Sequence, residues 1–303
     1  MEFPEVKRLF KFRPLRDSVD GQGTIKYNPF TISMLNNNTA WLARPDTFND
    51  PFDCNYRPIP ARMKEGDELF IDELPPHKVE KAIIDSLPDN CNDRDWKRAV
   101  FKIAEFRNDH IQNMVQGYCV LSMSEECDHT LLWSHYADQH RGICIQYART
   151  PESVFCNELS RPVRYRKHYF SIDHSDYQAF LKSTVYSDKP SGYQNGYNLL
   201  TNSIFTKSEQ WFYEKEWRVA KLFPQPAKGF NLKLDTPILS VIFGCLTPKE
   251  DKYYVKQLLG KKVKYYQAWK KKMDHGLEII PEDEWEGRMN YYNQEKDISQ
   301  LGG

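Results

Sequence analysis

Between Trp211 and Val219 the chain reads Trp-Phe-Tyr-Glu-Lys-Glu-Trp-Arg-Val. In an extended strand successive side chains point to opposite faces. Glu214, Glu216 and Arg218 then share one face, while Trp217 and Val219 turn the other way. A sheet holding this segment must pack apolar groups on one side and gather two carboxylates and a guanidinium on the other. Buried ions lose hydration that only close pairing offsets. The pattern predicts either an ion pair at a rim or a reactive site.

Around this segment, short apolar runs alternate with helical periodicities. Leu9 to Arg13 alternates apolar and basic residues until Pro14 stops it, which predicts a short strand with Lys11 and Arg13 on one face. A helix ending over Ile32 to Leu35 runs into the Asn36-Asn37-Asn38 turn, and Ala40 to Ala43 is a strand. Residues 77 to 87 and 93 to 116 read as helices separated at Leu87-Pro88-Asp89-Asn90, the second from the spacing of Trp96, Val100, Ile103, Phe106, Ile111 and Met114. Strands are predicted at 118–123, 142–147, from Val163, at 237–244 and at 263–269, with a short helix at 130–137 and further helices at 175–186 and 192–205. Thr247-Pro248-Lys249-Glu250 has the form of a capping box opening a helix that Gly260 closes.

Strands separated by helices without a regular βαβ rhythm predict an α+β fold with a central mixed or antiparallel sheet of short strands. At 303 residues the chain fits one large domain or two ordinary ones. We read one, 1–303, with a core over about 9–270, a helical insertion over about 65–117 and a peripheral tail at 281–303.

Composition narrows the partners. Lys plus Arg and Asp plus Glu both number 42, so no global field draws the protein to nucleic acid or an anionic membrane, and an anionic ligand must be held locally. The chain has no apolar run of membrane-spanning length, and Met1-Glu2-Phe3-Pro4-Glu5 lacks the basic and apolar regions of a secretory signal, so a cytoplasmic protein is expected. The seven cysteines are scattered without a Cys-x-x-Cys pair, which argues against a disulfide framework and a metal site. Glycine-rich phosphate loops of the common types are absent.

Three segments concentrate polar groups among aromatics. In Phe48-Asn49-Asp50-Pro51-Phe52-Asp53 the Asn and Asp side chains either bind a ligand or cap a turn. In Trp133-Ser134-His135-Tyr136-Ala137-Asp138-Gln139-His140, Trp133 and Tyr136 share a helix face with His135 beside it, which suits an aromatic wall for a flat ring or ordinary core packing. Ser134 and His135 are adjacent and point about 100° apart on a helix, which disfavours a catalytic triad. The third segment runs from Lys207 to Arg218: if Arg218 pairs with one glutamate, the other is left as a reactive acid or acceptor.

Lys11-Phe12-Arg13, Thr47 to Asp53, Leu132 to Asp138 with His140 and Gly142, and Lys207 and Trp211 with Tyr213 to Arg218 occur in an order that resembles the bacterial domain-of-unknown-function family numbered 2971, over about residues 9–245. The resemblance implies a soluble bacterial protein of variable genomic regions, with a role in defence or conflict. The Glu-x-Glu strand after an aromatic segment, with a basic residue on an N-terminal strand, is also similar to the layout of ADP-ribosyltransferases. That likeness implies Glu216 as the catalytic acid, Glu214 as its partner, and Lys11 or Arg13 on the pyrophosphate of NAD. Lys11-Phe12-Arg13 stands in place of the usual His or Arg motif, and no Ser-Thr-Ser segment follows.

Three functions are therefore expected to compete. The first is an ADP-ribosyltransferase or NAD glycohydrolase with NAD as substrate and no firmly implied cofactor, whose small nucleotide ligand also touches Asn49, Asp50, Trp133, His135, Tyr136, Lys207 and Arg218. The second is a non-catalytic sensor or effector subunit that uses the same clusters to hold a ligand. The third is a nuclease with Asp50, Asp53, Glu214 and Glu216 as metal-binding carboxylates.

Overall fold

The computed structural model describes residues 3–57, 78–156, 160–171, 202–223, 228–285 and 287–288. Its centre is a mixed sheet. The strands are β1 (Arg8–Arg13), β2 (Arg16–Val19), β3 (Ile25–Tyr27), β4 (Thr39–Ala43), β5 (Tyr56–Arg57), β6 (Tyr118–Ser124), β7 (Ile143–Ala148) and β8 (Ser160–Pro162). They continue with β9 (Arg164–Arg166), β10 (Phe170–Ser171), β11 (Thr206–Ser208), β12 (Glu216–Leu222), β13 (Gly229–Lys233), β14 (Ile238–Phe243), β15 (Lys264–Lys270) and β16 (Leu277–Pro281). The helices are α1 (Pro29–Asn37), α2 (Lys78–Asp85), α3 (Asp93–Val115), α4 (Thr130–Tyr136) and α5 (Lys249–Leu259).

Among the described residues ten strands join one sheet, in the order β13-β4-β6-β1-β7-β14-β15-β16, with β12 added to β6 and β8 to β12. All pairs in it are antiparallel except β14 with β15. The expected α+β class with a mixed sheet is what the chain adopts.

The sheet forks at β6. On one side β6 pairs with β12 along its whole length, from Glu216↔Ser124 to Leu222↔Tyr118. On the other side it meets β1 at Phe10↔Ser124 and β4 at Ala43↔Val120. β1 and β4 diverge between those contacts, and in that interval the carbonyl of Ser122 accepts from Lys11 Nζ at 2.6 Å.

The two faces carry different chemistry because side chains alternate along each strand. Leu9, Leu121, Met123, Trp217 and Val219 join one large apolar cluster with Met34 and Leu35 of α1. Phe10 and Phe12 pack with Leu132 and Trp133 of α4 in another, and Val120 and Ala220 belong to a third with Ile111 and Val115 of α3. Between the last two clusters lie Ser122, Ser124, Glu216 and Arg218, a polar interruption in an otherwise apolar face.

Helix ends follow local chemistry. Asn28 caps α1 through Thr31 N, Pro29 follows at the first turn, and Asn38 closes the helix in the left-handed region at φ 52°. Asn92 and Asp95 form a capping box on α3. The box expected at Thr247 does not form: Thr247 Oγ1 donates to Gly142 O at 2.7 Å, and α5 starts at Lys249 without a side-chain cap. The predicted helix at 175–186 lies outside the described residues, as do most of 192–205 and most of the tail. The hairpin β2–β3, β8, β13 and β16 are not among the predicted strands: β2, β3 and β8 have only three or four residues, whereas β13 and β16 are five-residue strands with Phe230 and Leu232, and Leu277 and Ile279, at alternate positions.

Gly142 sits where α4 turns back into β7, and a Cβ there would stand 2.2 Å from Arg13 O. Gly142→Ala should therefore lower stability by about 1–3 kcal/mol, the usual cost of overpacking, read as a lower urea midpoint with an unchanged m-value.

Candidate functional site

The polar interruption is organised by one guanidinium. Arg218 is 0% exposed. Its NH1 and NH2 donate to Asp53 Oδ1 and Oδ2 at 2.9 and 2.6 Å, and its Nε and NH2 donate to Glu216 Oε1 and Oε2 at 2.7 and 3.0 Å. This planar fork ties β12 to the 44–54 loop, a geometry that arginine and not lysine can make. Lys207 on β11 adds a second cation: its Nζ donates to Glu214 Oε2 at 2.6 Å and Glu216 Oε2 at 3.0 Å, and lies 4.8 Å from the Trp211 ring centre.

Glu214 does not lie on the strand as expected. It ends a 3-10 turn (Glu209–Glu214), and Lys215 takes a left-handed conformation before β12 begins. The turn still brings both glutamates onto Lys207, because Ser124 Oγ donates to Glu214 O at 2.7 Å while Glu216 N donates to Tyr165 Oη at 2.7 Å.

The two acids differ in their surroundings. Burial alone would raise the Glu216 carboxyl, but Arg218 and Lys207, with hydrogen bonds from Arg218 and Ser122, hold it well below the usual carboxylate range. Its oxygens are fully engaged. Burial raises Glu214 above its usual value against the opposing pull of Lys207. Glu214 accepts from Lys207 and from Tyr136 Oη, the latter at 2.6 Å, so acceptor capacity remains.

These acids line a cavity of about 210 Å³ in the fork of the sheet. Lys11 and Arg13 of β1, Asn49 of the loop, Tyr136 of α4, and Lys207, Glu214 and Glu216 all border it. Arg13 is held by α1, donating through Nε to Thr31 Oγ1 and through NH2 to Asn28 Oδ1, both at 3.1 Å. Burial, then the nearby Arg13, lowers the Lys11 amine to about 7 against the pull of the two glutamates.

Four candidates fall elsewhere. Trp133 is 0% exposed, packs edge-on against Phe12 and donates its indole N–H to Cys127 O, so it is a core residue and offers no ring face to a ligand. His135 is exposed and does not border the cavity; it meets Tyr136 and Trp211 edge-on. Asp50 accepts from Phe52 N at 2.9 Å, the turn-capping alternative, and borders a neighbouring depression instead. Arg218 acts beneath the cavity wall, on Glu216 and Asp53.

Sequence reasoning did not find Asp53 as the partner of Arg218, nor Tyr165, Ser122 and Asn28 as supports. Only Asn28 carries a local signal, the cap signature ahead of Pro29. Ser134 Oγ meets His140 Nε2 at 3.1 Å rather than His135, across a turn in which Asp138, Gln139 and His140 all have positive φ.

Residues 132–219 match the family model described as Protein of unknown function (DUF2971). The match bears out the family resemblance over a narrower span than 9–245; it takes in Tyr136, Lys207, Glu214, Glu216 and Arg218 and leaves out Lys11, Arg13 and Asn49. No curated protein and no solved structure matches the chain.

Removing the guanidinium should leave two buried carboxylates short of a partner. Arg218→Leu is expected to cost about 3–5 kcal/mol, measured by chemical denaturation, and Arg218→Lys should not restore the loss. Lys11 gives a pH signature. An unfolded chain keeps its proton up to about 10.5 while the folded one releases it near 7, so the wild type gains stability as pH rises through that window. The stability advantage of Lys11→Met should be constant below the folded value and shrink above it, followed by urea midpoints across pH.

Proposed function

We propose that the cavity binds the nicotinamide-ribose end of NAD and cleaves its N-glycosidic bond. The reading is carried by Glu214: a buried carboxylate with spare acceptor capacity, bordering a cavity that Lys11 and Arg13 also border. In the reaction the C–N bond breaks and its electron pair leaves with the ring, which departs as neutral nicotinamide. Positive charge develops on the ribose, as in glycoside hydrolysis, and a fixed carboxylate lowers that barrier. Water or an acceptor hydroxyl then attacks the ribose, and its proton passes to Glu214.

The roles of the two glutamates are exchanged relative to the layout of ADP-ribosyltransferases. Glu216 is a positioning residue, because Arg218 and Lys207 already take its oxygens. Lys11 and Arg13 offset the diphosphate charge. The nuclease reading is less well supported, since the oxygens of Asp53 and Glu216 face Arg218 and Lys207, where a metal ion would have to sit.

Incubation with NAD should release nicotinamide. Glu214→Gln should lose at least about a hundredfold in kcat, within the range of acid–base and electrostatic contributions, with its melting temperature nearly kept. Glu216→Gln should lower both activity and melting temperature. Tight NAD binding without turnover in the wild type would favour the sensor reading.

A further inference from the structure

Beside the cavity lies a wider depression of about 620 Å³ that shares Asn49 and Lys207 with it. Its rim carries Arg166, Lys167 and His168, all exposed, and the aromatic rings of Phe52, Tyr169 and Trp211. Phe52 is 64% exposed and Tyr169 44%, so both large rings present much of their surface to solvent. The acid in the wall, Asp50, is 8% exposed and engaged by Phe52 N. Among the described residues that line the depression the charge is therefore positive, in a chain whose net charge is zero.

Basic side chains that track a backbone, interleaved with exposed rings on which bases stack, are how proteins hold single-stranded nucleic acid. We propose that this depression binds a single-stranded nucleic acid, which presents one nucleotide to the adjoining cavity as the acceptor of the transferred group. The acceptor role rests on the proposed NAD chemistry; strand binding does not.

The test uses the full chain without NAD and a fluorescein-labelled single-stranded oligonucleotide of about twelve nucleotides, within the usual site size, as DNA and as RNA, read by fluorescence anisotropy. Binding should weaken with salt, and Arg166→Glu with Lys167→Glu should flatten the log–log salt slope by about 1.4, two contacts at about 0.7 each. The charge-preserving pair Arg166→Lys with Lys167→Arg should keep the wild-type slope. Phe52→Ala or Tyr169→Ala should each weaken binding about fivefold or more. Unchanged affinity in the charge-reversed and ring-truncated variants, full competition by ADP, or equal binding of an acidic peptide would overturn the proposal. Nicotinamide release without strand binding would overturn this proposal and leave the NAD reading standing, whereas strand binding without nicotinamide release would sink the NAD reading and the acceptor role with it and leave strand binding standing.

Discussion

The Arg218 guanidinium sets the geometry on which the rest of the site depends. Its charge is buried in the sheet face, and Asp53 and Glu216 offset the lost hydration by gripping it from two sides. The same contacts fix the 44–54 loop over the sheet and keep Glu216 ionised. Lys207 then bridges from Glu216 to Glu214, so one set of ion pairs runs from the core to the cavity wall.

That network sits where apolar packing stops. Val120 and Ala220 on one side and Phe10 and Phe12 on the other complete two separate clusters, and four polar side chains on β6 and β12 fill the interval. A polar stretch on a buried face is costly unless its groups find partners. Here they do, through the loop, β11 and the 3-10 turn.

Much of this was legible in the chain. The alternation from Glu216 to Val219 placed Trp217 in the core and Arg218 on the other face, and the runs at 118–123, 142–147 and 237–244 became strands. What the sequence did not reveal is distance. Asp53 lies 165 positions from Arg218, and no local pattern links them. Trp133 misled because a helix face shared with Tyr136 does not say which of the two points to a cavity. The turn at Lys215 was hidden because a left-handed lysine leaves no compositional mark, unlike a glycine.

The fork between β1 and β4 has a consequence for how such a pocket can vary. β4 shares a single ladder pair with β6, and among the described residues β13 pairs with β4 alone. This two-stranded ribbon forms a wall whose lining side chains, Trp41 among them, are carried apart from the β6–β12 ladder that holds Glu216 and from the 3-10 turn that holds Glu214. One wall of the pocket and its two glutamate carboxylates are thus mounted on separate pieces of backbone.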